Sequence, residues 1–169
     1  MRGFTIFFGV LVASLALAIG IAIYDITVRQ LELSGTLAQS QLAIYAADTG
    51  AECALYWDSK CTLSGCAFGS IFATSSTSVP PTTGMKCNAQ DVTPPLASIV
   101  GTATAATSTF QMYVSAPSGV SATTTCAKIQ VGKSVTASGV IYTNIVSSGY
   151  NNCIVGSDNR LERVLQLNY

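Results

Sequence analysis

Asp48 and Glu52 stand four residues apart in a run of good helix formers, a spacing that places two carboxylates on one helical face. Such a pair does acid–base work only where burial separates the two pKa values, and on an otherwise polar face it is simply solvated, which is the reading we adopt. The chain has no histidine, so neither a Ser-His-Asp nor a Cys-His arrangement can be built, and no GxxxxGK[ST] or GxGxxG phosphate loop occurs. "GSDNR" at 156–160 offers oxygens to calcium but reads more simply as a turn before a last strand. Tyr56 and Trp57 could serve adhesion, yet packing at a helix exit explains them. The Ser/Thr runs could carry O-linked sugar, and a surface loop explains them without it. We expect no enzyme activity, no cofactor and no bound metal.

Six cysteines, Cys53, Cys61, Cys66, Cys87, Cys126 and Cys153, are the remaining reactive side chains. Without histidine or a CxxC pair they make a poor zinc site, and a disulfide framework in an oxidising compartment accounts for them better. Six cysteines allow fifteen pairings, and spacing alone does not choose. The set we favour is Cys126 with Cys153 across a hairpin, Cys53 with Cys87 tying loop to helix, and Cys61 with Cys66 closing a small loop.

Those staples need elements to hold. Charged residues are 9% of the 169 and sum to zero, so no basic face exists for nucleic-acid phosphates. From Phe4 to Tyr24 there are 21 residues without a charge, enough for a helix to cross a ~30 Å hydrocarbon layer. A cleaved secretory signal is the competing reading, with Ala16-Leu17-Ala18 as its cutting site, but a cut there would leave Ile19 to Tyr24 as an apolar tail. The helical pattern also runs on without proline to about Asp58. Leu33, Leu37, Ile44, Ala51 and Leu55 mark the face of an amphipathic second half. Gly20, Gly35 and Gly50 are expected weak points, and Gly9 and Gly20 could admit a close neighbouring helix.

Gly3-Phe4-Thr5-Ile6, preceded by Arg2 and followed by this apolar helix, resembles the class III signal of type IV pilins and pseudopilins. "SQLAIYAADTGAECALYWD" and "SSGYNNCIVGSDNRLERVLQLNY" are similar to the helix end and final strands of minor pilins of the PilX type. The resemblance covers about half the chain, at its two ends. It implies cleavage by a prepilin peptidase between Gly3 and Phe4, and N-methylation of Phe4. It departs from the family at the fifth mature position, where the usual glutamate is Phe8, and in a leader of only three residues. Both departures argue against an ordinary major subunit.

The implied organisation is a leader at 1–3, a transmembrane or filament-core helix at 4–24, an amphipathic helix half at 25–58 and a Ser/Thr-rich, disulfide-stapled head at 59–169. Within the head, 110–114, 127–131, 140–146 and 161–169 read as strands. The expected fold is α+β, a pilin-like lollipop with one long helix packed on a roughly four-stranded antiparallel sheet and with Leu165, Leu167 and Tyr169 filling the seam. The resemblance implies a structural subunit of a type IV pilus-like filament, most like a minor or tip pilin. Its partners would be other pilin subunits through the helix, the peptidase and inner-membrane assembly platform, and membrane lipid before assembly. It would begin as a single-pass inner-membrane protein with its head outside and end in an extracellular or periplasmic filament. A pseudopilin of a type II secretion or DNA-uptake system, or a membrane-anchored binding module that never polymerises, are the alternatives.

Overall fold

The structure is a computed structural model that describes residues 2–60, 66, 70–76, 84–88, 90–92, 100–114 and 125–169. One helix, α1, runs unbroken over Arg2–Ser59, as the absence of proline and the wealth of Ala and Leu dictate. It is followed by β1 (Lys86–Cys87), β2 (Gln90–Asp91), β3 (Val100–Gly101), β4 (Ala105–Tyr113), β5 (Cys126–Val135), β6 (Ile141–Tyr150) and β7 (Glu162–Asn168). β1 and β2 form a small antiparallel ladder. The other five make one antiparallel sheet in sequence order, β3-β4-β5-β6-β7. The four expected strands are its long members: β4 begins earlier than expected, β5 runs beyond both limits, β6 runs on to Tyr150 and β7 lies within 161–169, while β3 adds a two-residue fifth at the β4 edge.

The chain divides into two units, Met1–Ala38 and Gln39–Tyr169. The first is the apolar helical stretch, whose large side chains from Phe4 to Leu37 are exposed. In the second, residues 39–59 of α1 cover one face of the sheet. That face reads Ala106, Phe110 and Met112 on β4, Ala127, Ile129 and Val131 on β5, and Ile145 on β6, all buried, as period-two alternation demands. Phe72 stacks on Phe110 with ring centroids 5.9 Å apart, and Trp57, Ile71, Met85 and Val92 complete the core.

The helix meets the sheet on a row of small residues that shares with the expected face only Ala51, which is buried, and Leu55, which packs half-buried against the core. Leu33 and Leu37 are 63% and 64% exposed and Ile44 is exposed too, while Ala43, Ala46, Ala47, Gly50, Ala51, Ala54 and Trp57 are buried. Steric room explains the difference. A Cβ at Gly149 would strike the backbone of Ala43 and Ala47, and one at Gly50 would lie 2.6 Å from Ser147 Oγ and 3.0 Å from Ile129 Cδ1. So close an approach admits only small side chains on the helix, and Gly50 is a point of tightest packing rather than a weak point. Gly9, Gly20 and Gly35 have nothing within 4 Å. The expected seam is met in part: Leu165 is half-buried and Tyr169 reaches Asp58 on α1 with its hydroxyl, but Leu167 is exposed, because the buried row of the helix lies over β5 and β6 and leaves edge strand β7 largely uncovered.

Gly149→Ala is therefore expected to lower stability by about 2–4 kcal/mol, since backbone and not a yielding side chain stands in the way. Gly35→Ala should raise it by about 0.5–1 kcal/mol through helix propensity. Denaturant titration of the two variants, followed by circular dichroism and tryptophan fluorescence, measures both, and equal effects would contradict the packing described.

Candidate functional site

The residues singled out in the sequence, Cys61 apart, fall among the described residues. Gly3 and Phe4 lie in the first turn of α1, with the Phe4 ring exposed, and Phe8 follows one turn later, 59% exposed. Asp48 and Glu52 are exposed on the side of α1 turned from the sheet, a solvated face and not a paired acid site. Residues 156–160 form a turn in which Ser157 N–H donates to Ile154 O and Arg160 N–H to Ser157 O. Tyr56 is exposed, whereas Trp57 is buried and its Nε1 donates to Lys86 O at 3.0 Å.

The structure joins Cys53 to Cys87, with Cα atoms 5.8 Å apart, and Cys126 to Cys153, at 5.7 Å. Cys53 and Trp57 sit one helical turn apart and grip the same strand, β1, one by a covalent bond and one by a hydrogen bond. Cys126 opens β5 and Cys153 follows β6, so the second bridge closes the open end of that hairpin. Cys66 lies half-buried against the core, and its expected partner Cys61 lies outside the described residues. Among the described residues no cysteine is free, and no three histidine, cysteine, aspartate or glutamate side chains converge on a metal position.

A buried polar centre, which the sequence reading missed, lies where α1 ends. Asp58 is in the last turn of the helix, and Lys133 reaches it from β5 with Nζ 2.5 Å from Oδ1; both are buried. Ser70 Oγ donates to the same oxygen at 2.5 Å, and Tyr169 OH donates to Oδ2 at 2.7 Å, with Thr143 Oγ1 at 3.5 Å. Helix, post-helix segment, β5, β6 and chain end thus converge on one carboxylate. The last turn of α1 has no basic residue of its own, so Lys133 supplies the positive charge that a carboxylate at the negative end of a helix dipole requires. The clue was present in the alternation Ala127/Ile129/Val131, which puts Lys133 on the apolar face, where a cation needs a partner. Burial, and then the hydrogen bond to Asp58, push the Tyr169 hydroxyl well above the usual tyrosine range.

On the opposite face of the sheet an open groove of about 710 Å3 crosses β4, β5, β6 and the end of β7, centred on Gly132. Apart from Lys133, whose side chain turns to the other face, its lining is uncharged, with Tyr142 on the floor and Tyr169 at one end as exposed aromatic residues.

Lys133→Met leaves a buried carboxylate without its cation and should cost about 3–5 kcal/mol, while Asp58→Leu combined with Lys133→Met should cost much less than the two single changes together. A thermodynamic cycle on the four proteins tests this, and additive losses would show the pair to be uncoupled. Because the Tyr169 pKa is raised on folding, its contribution is complete below the unfolded value near 10 and is lost as pH rises above it. Stability should therefore fall more steeply above about pH 10 in the natural protein than in Tyr169→Phe, as thermal melts across that range would record.

No protein-family model, curated protein or solved structure matches this chain, so its function must rest on these residues and their geometry.

Proposed function

We propose that this chain is a structural subunit of a type IV pilus-like filament, entering as a minor or tip component after removal of residues 1–3. One observation carries the reading. Large apolar side chains stand exposed on α1 from Phe4 to Tyr45, including Leu31, Leu33, Leu37 and Ile44, which is about twice the ~20 residues that a bilayer core can cover. α1 is long and apolar enough to cross a membrane, and a plain anchor has no use for the second stretch. Parallel helices of neighbouring subunits would cover both: the first stretch exchanges lipid for protein, and the exposed leucines of the second gain a partner. The assembly platform and prepilin peptidase would act on the chain while it is still in the membrane.

Phe8 narrows the proposal. In this family the carboxylate at that position meets the amino terminus of an earlier subunit in apolar surroundings, where an unpaired charge is costly. Phe8 cannot accept that amine, so the subunit is least penalised where no earlier neighbour needs it, at the end laid down first.

Mass spectrometry of native protein should find the chain beginning at N-methylated Phe4; a start at Met1 or Ile19 would remove the support for this processing. Antibody against the head, viewed by electron microscopy, should mark filament tips or sparse points. Dense uniform labelling would refute the tip assignment, and label confined to the envelope would refute assembly.

A further inference from the structure

Strand register explains the groove on the outer face of the sheet. Thr107, Gly132, Asn144 and Asn168 form one cross-strand row on β4 to β7, and Ala105, Ser134 and Tyr142 form the next. A glycine in the centre of a strand weakens it, so Gly132 needs a reason to be there. Its effect is a hollow: a Cβ at this position would have no heavy atom nearer than 3.8 Å. With Ala105 and Ser134 beside it, the floor sinks between Thr107 and the Tyr142 ring, which is 56% exposed.

The chemistry of the lining selects the ligand. None of the seven floor side chains is charged, and Lys133, between them in sequence, turns to the other face and is held by Asp58. A charged ligand would give up water here and gain no counter-charge. Asn144 Nδ2 donates to Asn168 Oδ1, which leaves the carbonyl oxygen of the first amide and the amino group of the second side by side as one acceptor and one donor. Adjacent sugar hydroxyls, which each donate and accept, match that pair. The tyrosine ring offers a flat apolar face to the C–H side of a pyranose, and Thr107 and Ser134 add hydroxyls. The volume lies within the range of small-molecule sites.

We propose that this groove binds an uncharged saccharide, with one ring against Tyr142 and its hydroxyls on Asn144 and Asn168. The site belongs to the sheet alone and does not depend on filament assembly. The geometry also supplies a clean test. Because the position above Gly132 is open, Gly132→Leu fills the hollow without displacing backbone, and Tyr142→Ala removes an exposed ring that the core does not use.

Full-length protein in a zwitterionic detergent without a sugar headgroup would be applied to arrayed oligosaccharides ending in glucose, galactose, mannose or N-acetylglucosamine, alongside sialylated and sulfated ones. Saturation-transfer NMR with the free sugars would follow. Binding is expected to at least one neutral class, weakened about tenfold by Tyr142→Ala and abolished by Gly132→Leu, with circular dichroism unchanged. If Gly132→Leu does not fold, Tyr142→Ala decides alone. No binding to any neutral sugar, a preference for the anionic set, or full affinity in Tyr142→Ala would overturn the proposal. So would a folded Gly132→Leu protein that still binds.

Discussion

A helix can approach a sheet only as closely as the side chains between them allow, and here that limit is set by glycine and alanine. Gly149 on β6 receives the backbone of Ala43 and Ala47, and Gly50 on α1 receives Ser147, Ala127 and Ile129. At this separation dispersion is gained along the whole contact, although each alanine buries little area. The bulk of the core flanks this contact: Phe110 and Met112 stand on β4 beside Ile129 and Ala127, and Trp57, Phe72 and Met85 join them. Beside this contact Ile44 stays exposed, and Leu55 packs only half-buried against the core. Had a leucine stood in place of Ala43, Ala47 or Gly50, the two backbones could not have come together.

The polar centre at Asp58 fixes where this packing stops. A buried ion pair is a poor source of stability, but it is demanding about geometry, since either partner alone would be a buried charge. Ile71 N–H donates to Trp57 O at 3.2 Å, and Ser70 both bonds Asp58 and accepts from Phe72 N–H, so residues 70–72 are fixed against the last turn of the helix. Sliding of α1 by even one turn would separate Asp58 from Lys133, from Ser70 and from Tyr169 together. Register between helix and sheet is thereby specified twice, once by shape and once by charge.

Much of this was legible in the sequence. The 58-residue helix follows from a proline-free run, and the four long strands from alternation such as Ala127/Ile129/Val131, because these periodicities express which face meets the core. The helix face was only partly legible, at Ala51 and Leu55, because hydrophobic periodicity follows large apolar residues whereas close packing selects small ones; the row 43, 46, 47, 50, 54 has the same helical spacing but little hydrophobic signal. β3 is too short to have a period. The Asp58 centre joins residues 75 and 111 positions apart, and only the completed topology brings them together, although Lys133 on an apolar row announced that some partner was needed. The groove depends on strand register, which a single sequence does not specify.

The bond between Cys53 and Cys87 joins the helix to a strand on the far side of Lys60, an exposed lysine immediately beyond the end of α1. Trypsin acting there would separate the polypeptide into a helical piece and a sheet-bearing piece, yet the two would migrate as one species until a reductant was added. Attachment of the last turns of α1 to β1 thus does not depend on continuity of the backbone at that junction, and a proteolytic nick between Lys60 and Lys86 would not by itself separate them.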